Sequence, residues 1–292
     1  MMTDRDRELL SQVIDWDPPA DIVTARESWE AHAAHYLNDD LPKIGVFHEQ
    51  VDLGGGLKAD ISVPAGKGPF PVVLYLHGGG WSFGSARSTL KVGMTFADHG
   101  VMAVNLDYRL APEHPFPAAL DDVRAAVDWI GRHAADYGAD GSRMAVGGDS
   151  AGANLALAAA LREPEAFRRR LSALLLLYGV YDLNAALERV NNHPGLVAQV
   201  KNYAGATAIS DPLVSPLFAE MPSNLPPCLI IEGSVDRFVG GEAAILATKL
   251  ARAGVRHELM IVDGMPHAFL QLFQLDGCQA AWRAMLEFLR KT

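Results

Sequence analysis

The feature that most constrains this chain is Gly148-Asp149-Ser150-Ala151-Gly152, set between the apolar run from Met144 and the alanine-rich stretch that follows Gly152. A strand that turns sharply into a helix lifts a serine hydroxyl to the edge of a sheet. Glycine is needed on both sides, because a side chain there would strike neighbouring backbone. The new helix also aims free amide hydrogens and the positive end of its dipole at the turn, which favours negative charge beside the serine. Five residues alone recur by chance. Between an apolar strand and a helix they mark Ser150 as a candidate nucleophile.

The surrounding pattern supplies a sheet to carry that turn. VFHEQVDL and LKADISVP around Gly54-Gly55-Gly56 read as an antiparallel hairpin. After it, apolar runs at 72–77, 101–106, 144–150, 171–179, 228–233 and 258–264 alternate with helical periodicity, as in Leu120, Val123, Val127, Ile130 and Ala134. Residues 240–254 and 277–290 give the last helices. The expectation is a mostly parallel, eight-stranded sheet flanked by helices. Leu9, Leu10, Val13 and Ile14 suggest one short helix before Pro18-Pro19. Ile22, Trp29, Ala33 and Tyr36 suggest another. Residues 180–225 are too long for a simple connection. The chain therefore divides into an N-terminal helical cap segment (1–42), a core (43–179 and 226–292) and a cap insertion (180–225). The two cap pieces are expected to roof the site.

The second motif is His77-Gly78-Gly79-Gly80-Trp81, directly after strand 72–77. Glycines there let backbone amides approach a developing oxyanion, and the amides of Gly78, Gly79 and Ala151 are the expected donors. No Lys-Ser/Thr follows, so the loop is not a P-loop. A serine nucleophile needs a base, and the base an orienting carboxylate. Of the histidines after Ser150, His193 falls in the insertion and His257 enters a strand. His267, in GMPHAF, sits in the loop after the last strand, where a base belongs. Asp236 follows strand 228–233 by a short loop and is the preferred acid. Asp182 is the runner-up, Asp211 lies in a proline-flanked turn, and Asp263 is too near His267 in sequence to reach it. His32 and His35 share a helix face, but no further ligand completes a metal site. Trp81, Phe83, Tyr181, Phe238 and Phe269 are candidates for an acyl pocket. Asp107 to Pro117 reads as a brace for the rim.

Composition bounds the partners. The net charge of −10 argues against nucleic acid and anionic membranes. Two cysteines, Cys228 and Cys278, make no disulfide framework and no metal pattern. The first residues are charged, without an apolar signal core, and no run is long enough to span a membrane, so a cytoplasmic location is expected.

HGGGW at 77–81, YRLAPEHPFPAALDD at 108–122, GDSAGANLA at 148–156, DPLVSP at 211–216, Asp236 and PHAF at 266–269 together resemble the hormone-sensitive-lipase-like family of esterases. The resemblance covers the chain from about residue 45. It implies an α/β-hydrolase fold with a helical N-terminal cap and a Ser150–Asp236–His267 triad. It also implies no metal, no organic cofactor, and a homodimer built on the last strand and its neighbouring helix. The polar residues of the insertion, Asp182, Asn184, Glu188, Arg189, Asn191 and Asn192 among them, suit a closed pocket rather than a lipid surface, so short- to medium-chain acyl esters are the expected substrates. Two departures affect the pocket. Many relatives carry a second acidic residue a few positions after the triad Asp, where this chain runs Arg237-Phe238-Val239-Gly240-Gly241. Many carry glycine after the triad His, where this chain has Ala268. An amidase or arylformamidase would use the same triad. A non-catalytic receptor on this fold, like the plant gibberellin receptors, would lack the histidine that is present here as His267.

Overall fold

The structure is a computed structural model. It describes residues 21–292, except for the side chains of residues 35 and 36. The helix expected over residues 9–14 lies outside the described residues. Helix α1 (Ile22–His32) starts at an Asp21 cap, whose carboxylate accepts the Thr24 amide, and passes into a π-helical turn, Ala33–Leu37. The expected hairpin follows as β1 (Val46–Gly54) and β2 (Leu57–Val63), turning at Gly55 and Gly56, which both have positive φ.

From there strands and helices alternate: β3 (Phe70–Leu76), α2 (Leu90–Asp98), β4 (Met102–Asp107), α3 (Ala118–His133) and β5 (Ala139–Asp149). Then come α4 (Ala151–Arg162), β6 (Leu171–Leu177), α5 (Leu183–Arg189), α6 (Pro194–Ala204) and β7 (Cys228–Gly233). The chain closes with α7 (Glu242–Arg252), β8 (His257–Val262) and α8 (Asp276–Lys291).

Among the described residues the strands form one eight-stranded sheet in the order β1-β2-β4-β3-β5-β6-β7-β8. The β1–β2 and β2–β4 pairs are antiparallel and all others are parallel. This is the α/β-hydrolase fold. Central strands are covered on both faces, which is why β6 reads Leu-Ser-Ala-Leu-Leu-Leu-Leu and is buried almost throughout. The nearly all-apolar α4 is likewise buried along almost its whole length between sheet and neighbouring elements.

The strand order reverses at β3. The chain leaves β3 to build β4 on one side and returns to lay β5 on the other, with Leu76 paired to Gly148. Ligands in open α/β sheets bind beyond the carboxyl ends of strands at such a reversal. Here the loop after β3 is the glycine run from Gly78, and the turn after β5 is Ser150. The two sequence motifs, more than sixty residues apart, become neighbours through strand order alone.

The proline-rich segment after β4 does brace the rim. Arg109 pairs with the buried carboxylate of Asp122 (2.8 Å). The Ala111 amide donates to Trp81 O, and the Phe116 amide to Tyr203 O in α6. Arg26 of α1 reaches across to Glu113 (2.8 Å), Ser82 O and Ala111 O. One loop thus ties core, insertion and N-terminal helix together.

Candidate active site

Ser150 stands between β5 and α4 with φ +53° and ψ −117°, a region that side-chain-bearing residues rarely occupy. The flanking glycines are forced by the end of β3. A Cβ on Gly148 would lie 2.1 Å from the Leu76 carbonyl oxygen, and one on Gly152 only 1.9 Å from it. Backbone cannot give way as a side-chain tip can, so these positions exclude every other residue.

The serine Oγ lies 2.8 Å from His267 Nε2, and His267 Nδ1 lies 2.8 Å from Asp236 Oδ2. The other carboxylate oxygen, Oδ1, accepts the amides of Phe238 (2.9 Å) and Val239 (3.1 Å). An ionised carboxylate only accepts, so Nδ1 carries the ring proton and Nε2 is left to accept from the serine hydroxyl. The imidazole is wedged between the edges of Tyr178 (centroids 5.1 Å apart) and Phe238 (5.2 Å).

Electrostatics match this geometry. Burial alone would push the Asp236 carboxyl up. The charge of His267, its hydrogen bond and the two amides outweigh burial and hold it below the usual carboxylate range. Burial would lower His267, but the Asp236 carboxylate, with Asp149 and Glu242 behind it, raises it above its ordinary value. Asp149 is buried next to the serine, and burial raises its carboxyl although it accepts Tyr75 Oη–H (2.7 Å) and the Gly78 amide (3.1 Å).

That last bond corrects one expectation. The Gly78 amide is turned onto Asp149 and is not a free oxyanion donor. Among the described residues, the amides of Gly79 and Gly80 donate to no protein acceptor, and both glycines border the cavity beside Ser150. Their positive φ values, +110° and +56°, are the turn that presents them there. Gly80 thereby joins Gly79 as a candidate donor. The signal for it was the third glycine of the run, together with the acid preceding Ser150, which needs a donor of its own.

The other candidates have different work. Asp182 caps α5 by accepting the Ala185 amide (3.1 Å). Asp211 closes its turn on the Leu213 amide (2.8 Å), and Asp263 accepts the Ser234 hydroxyl (3.3 Å). His257 Nδ1 lies against Val255 O. His193 borders the cavity from the insertion. No group of three or more His, Cys, Asp or Glu placed to hold a metal ion occurs among the described residues.

Glu242 is a second residue sequence reasoning missed. It is fully buried at the start of α7. It accepts the amides of Tyr181 (2.6 Å) and Asp182 (2.9 Å) and pairs with Arg189 (2.6 Å). Burial pushes its carboxyl up to about 7. It sits just beyond Gly240-Gly241, next to the run that lacks a second acidic residue, and it anchors the insertion to the loop carrying Asp236. Ala268 has φ +61°, the left-handed region that glycine enters freely. An alanine there costs roughly 1–2 kcal/mol.

These groups open onto a cavity of about 550 Å³. Trp29 and Leu37 reach it from the N-terminal segment, and Val190, Leu196 and Gln199 from the insertion. Of the expected aromatics, Trp81, Phe83 and Phe238 line it. Tyr181 and Phe269 do not, being buried in the core beneath.

A family model described as α/β hydrolase fold matches residues 73–271. The chain is 35% identical over 234 residues to the carboxylic ester hydrolase LipN of Mycobacterium tuberculosis, a match covering 75% of this chain and 62% of that protein's length. It is similar to an esterase of Pyrobaculum calidifontis with a TM-score of 0.87 and 28% identity, covering 100% of this chain and 99% of the other. An esterase from the bacterial hormone-sensitive lipase family matches with a TM-score of 0.83 and 30% identity, again over 100% and 99% of the two chains.

Two outcomes follow from the hydrogen-bonded line. Asp236→Asn should slow phosphonylation of Ser150 by a fluorophosphonate on the order of 10⁴-fold, because an amide favours the wrong imidazole tautomer. Asp182→Asn, which alters only a helix cap, should leave it within a few-fold of the parent. Labelling rates followed by intact mass decide between them, and the reverse ranking would make Asp182 the acid. Labelling of the parent should also rise with pH, since only neutral imidazole accepts the proton. His267 is raised above its ordinary value of 6.5, so reactivity is lost as pH falls through a midpoint above that value. A midpoint well below it would contradict the Asp236–His267 pairing.

Proposed function

The chain belongs to the α/β-hydrolase fold family, within its hormone-sensitive-lipase branch, and on that basis we propose that it is a serine carboxylesterase acting on short- to medium-chain acyl esters. The observation that carries this reading is the unbroken line from Ser150 Oγ through His267 to the buried Asp236, opening onto a largely apolar cavity.

His267 Nε2 takes the hydroxyl proton as Ser150 Oγ attacks the ester carbonyl carbon. Asp236 holds the ring in place and stabilises the imidazolium. The carbonyl oxygen gathers charge and is met by the amides of Gly79, Gly80 and Ala151, each such donor contributing about 3 kcal/mol in comparable sites. Collapse of the tetrahedral intermediate expels the alcohol, which takes the proton from His267. Water, deprotonated by the same ring, then attacks the acyl-enzyme and frees the acid and the serine. Every step is assigned to a group of this chain.

The N-terminal segment to residue 42 and the insertion 180–225 are read as two halves of one cap. The support is that both supply walls of the cavity, and that Arg26 and Glu242 fasten them to the core. The substrate is a small-molecule ester, and the charge of −10 runs against a nucleic-acid partner. No helix among the described residues is long and apolar enough to cross a membrane. A homodimer through β8 is the proposed assembly. That strand is the sheet's edge and exposes Leu259 and Ile261, two positions apart on one face.

A roofed cavity limits acyl length. Each accommodated methylene should raise kcat/KM by up to roughly fourfold, the equivalent of about 0.8 kcal/mol. Beyond about eight carbons the rate should fall, as further carbons clash or stay wet. A series from p-nitrophenyl acetate to palmitate measures this. A maximum at palmitate, or a jump in tributyrin hydrolysis above its solubility limit, would contradict the roofed cavity.

A further inference from the structure

One wall of the cavity is not apolar. Gln271 closes the short 3₁₀ turn Phe269–Gln271, four residues after His267. The residue is only 8% exposed, yet it borders the same cavity as Ser150 and His267. Among the described residues its carboxamide makes no hydrogen bond to protein. Its side-chain nitrogen and oxygen are not among the buried polar atoms that are both fully enclosed and unpaired. A primary amide that is nine-tenths buried without a partner is costly unless something meets it there.

The structure gives Gln271 no hydrogen-bond partner among the other side chains that line the cavity. The other amide on the wall, Gln199, comes from the insertion and is packed against Gly80, where its Oε1 would lie 2.1 Å from a Cβ at that position. It belongs to the side of the oxyanion loop. Gln271 belongs to the side of His267.

We propose that Gln271 is a specificity-determining residue, selecting esters that carry a hydroxyl or carbonyl group beyond the scissile carbonyl. This rests on the esterase reading above. An amide both donates and accepts, so it pairs with a hydroxyl or a carbonyl and discriminates against a methyl of the same size. In a wholly apolar cavity the ranking would be the opposite, because the methyl gains from burial and the hydroxyl loses its water. The sign of the preference therefore reports on Gln271.

Two pairs of isosteric esters test it, one for each half of the substrate. Ethyl 3-hydroxybutyrate against ethyl 3-methylbutyrate places the group on the acyl side. 2-Hydroxyethyl butyrate against propyl butyrate places it on the alcohol side. The parent enzyme should favour the hydroxyl member of at least one pair, by about tenfold in kcat/KM. Gln271→Leu should reverse that ranking, and Gln271→Met should do the same if the leucine variant folds poorly. The pair that reverses identifies the half of the substrate Gln271 reads. The proposal is overturned if the parent favours the methyl member of both pairs, or if the preference survives in both variants. Failure to hydrolyse any of the four esters would overturn the esterase reading itself, and the role of Gln271 with it.

Discussion

The end of β3 runs so close to the turn after β5 that the Leu76 carbonyl oxygen occupies the space a side chain would need at residues 148 and 152. This contact is possible because β3 and β5 are paired neighbours at the point where strand order reverses. It fixes where the chain can turn, holds Ser150 in a conformation it would not adopt alone, and sets the glycine loop after β3 beside the serine. A backbone held this way by two central strands gives the site little freedom to relax.

Onto that frame the chain hangs several buried carboxylates with separate tasks. Asp236 is held ionised by His267 and two amides. Asp149 orders the glycine loop by taking the Gly78 amide and the Tyr75 hydroxyl. Glu242 gathers two amides and Arg189 from the insertion. Each lies where burial disfavours charge, and each is compensated by donors aimed at it. All three carboxylates act on His267, each raising it above its ordinary value.

Much of this was legible in the sequence. The eight strands could be read because central parallel strands are apolar on both faces, and the site could be read because its glycines are dictated by backbone contact rather than by preference. Ser150, His267 and Asp236 were each singled out by position relative to a strand end, and the structure brings them within hydrogen-bond reach. The misses are three-dimensional in origin. Which amide of the glycine run is free depends on the carboxylate of Asp149, a residue distant in sequence. Glu242 looks like an ordinary acid at a helix start until the fold buries it against the insertion. Tyr181 and Phe269 lie near motifs and read as pocket candidates, but both are buried in the core. Gln271 carried no signal at all, since a single glutamine near an apolar run is usually on the surface.

The central claim is that Ser150 attacks the substrate and carries its acyl group. Acid quenching during turnover of p-nitrophenyl acetate, followed by peptide mapping, tests it most directly. An acetyl group is expected on Ser150 alone. In Ser150→Ala, folded as judged by circular dichroism, the adduct should be absent and turnover should be reduced on the order of 10⁶-fold. An acetyl group on another residue, or a Ser150→Ala protein that keeps more than a few per cent of the parent's rate, would contradict it.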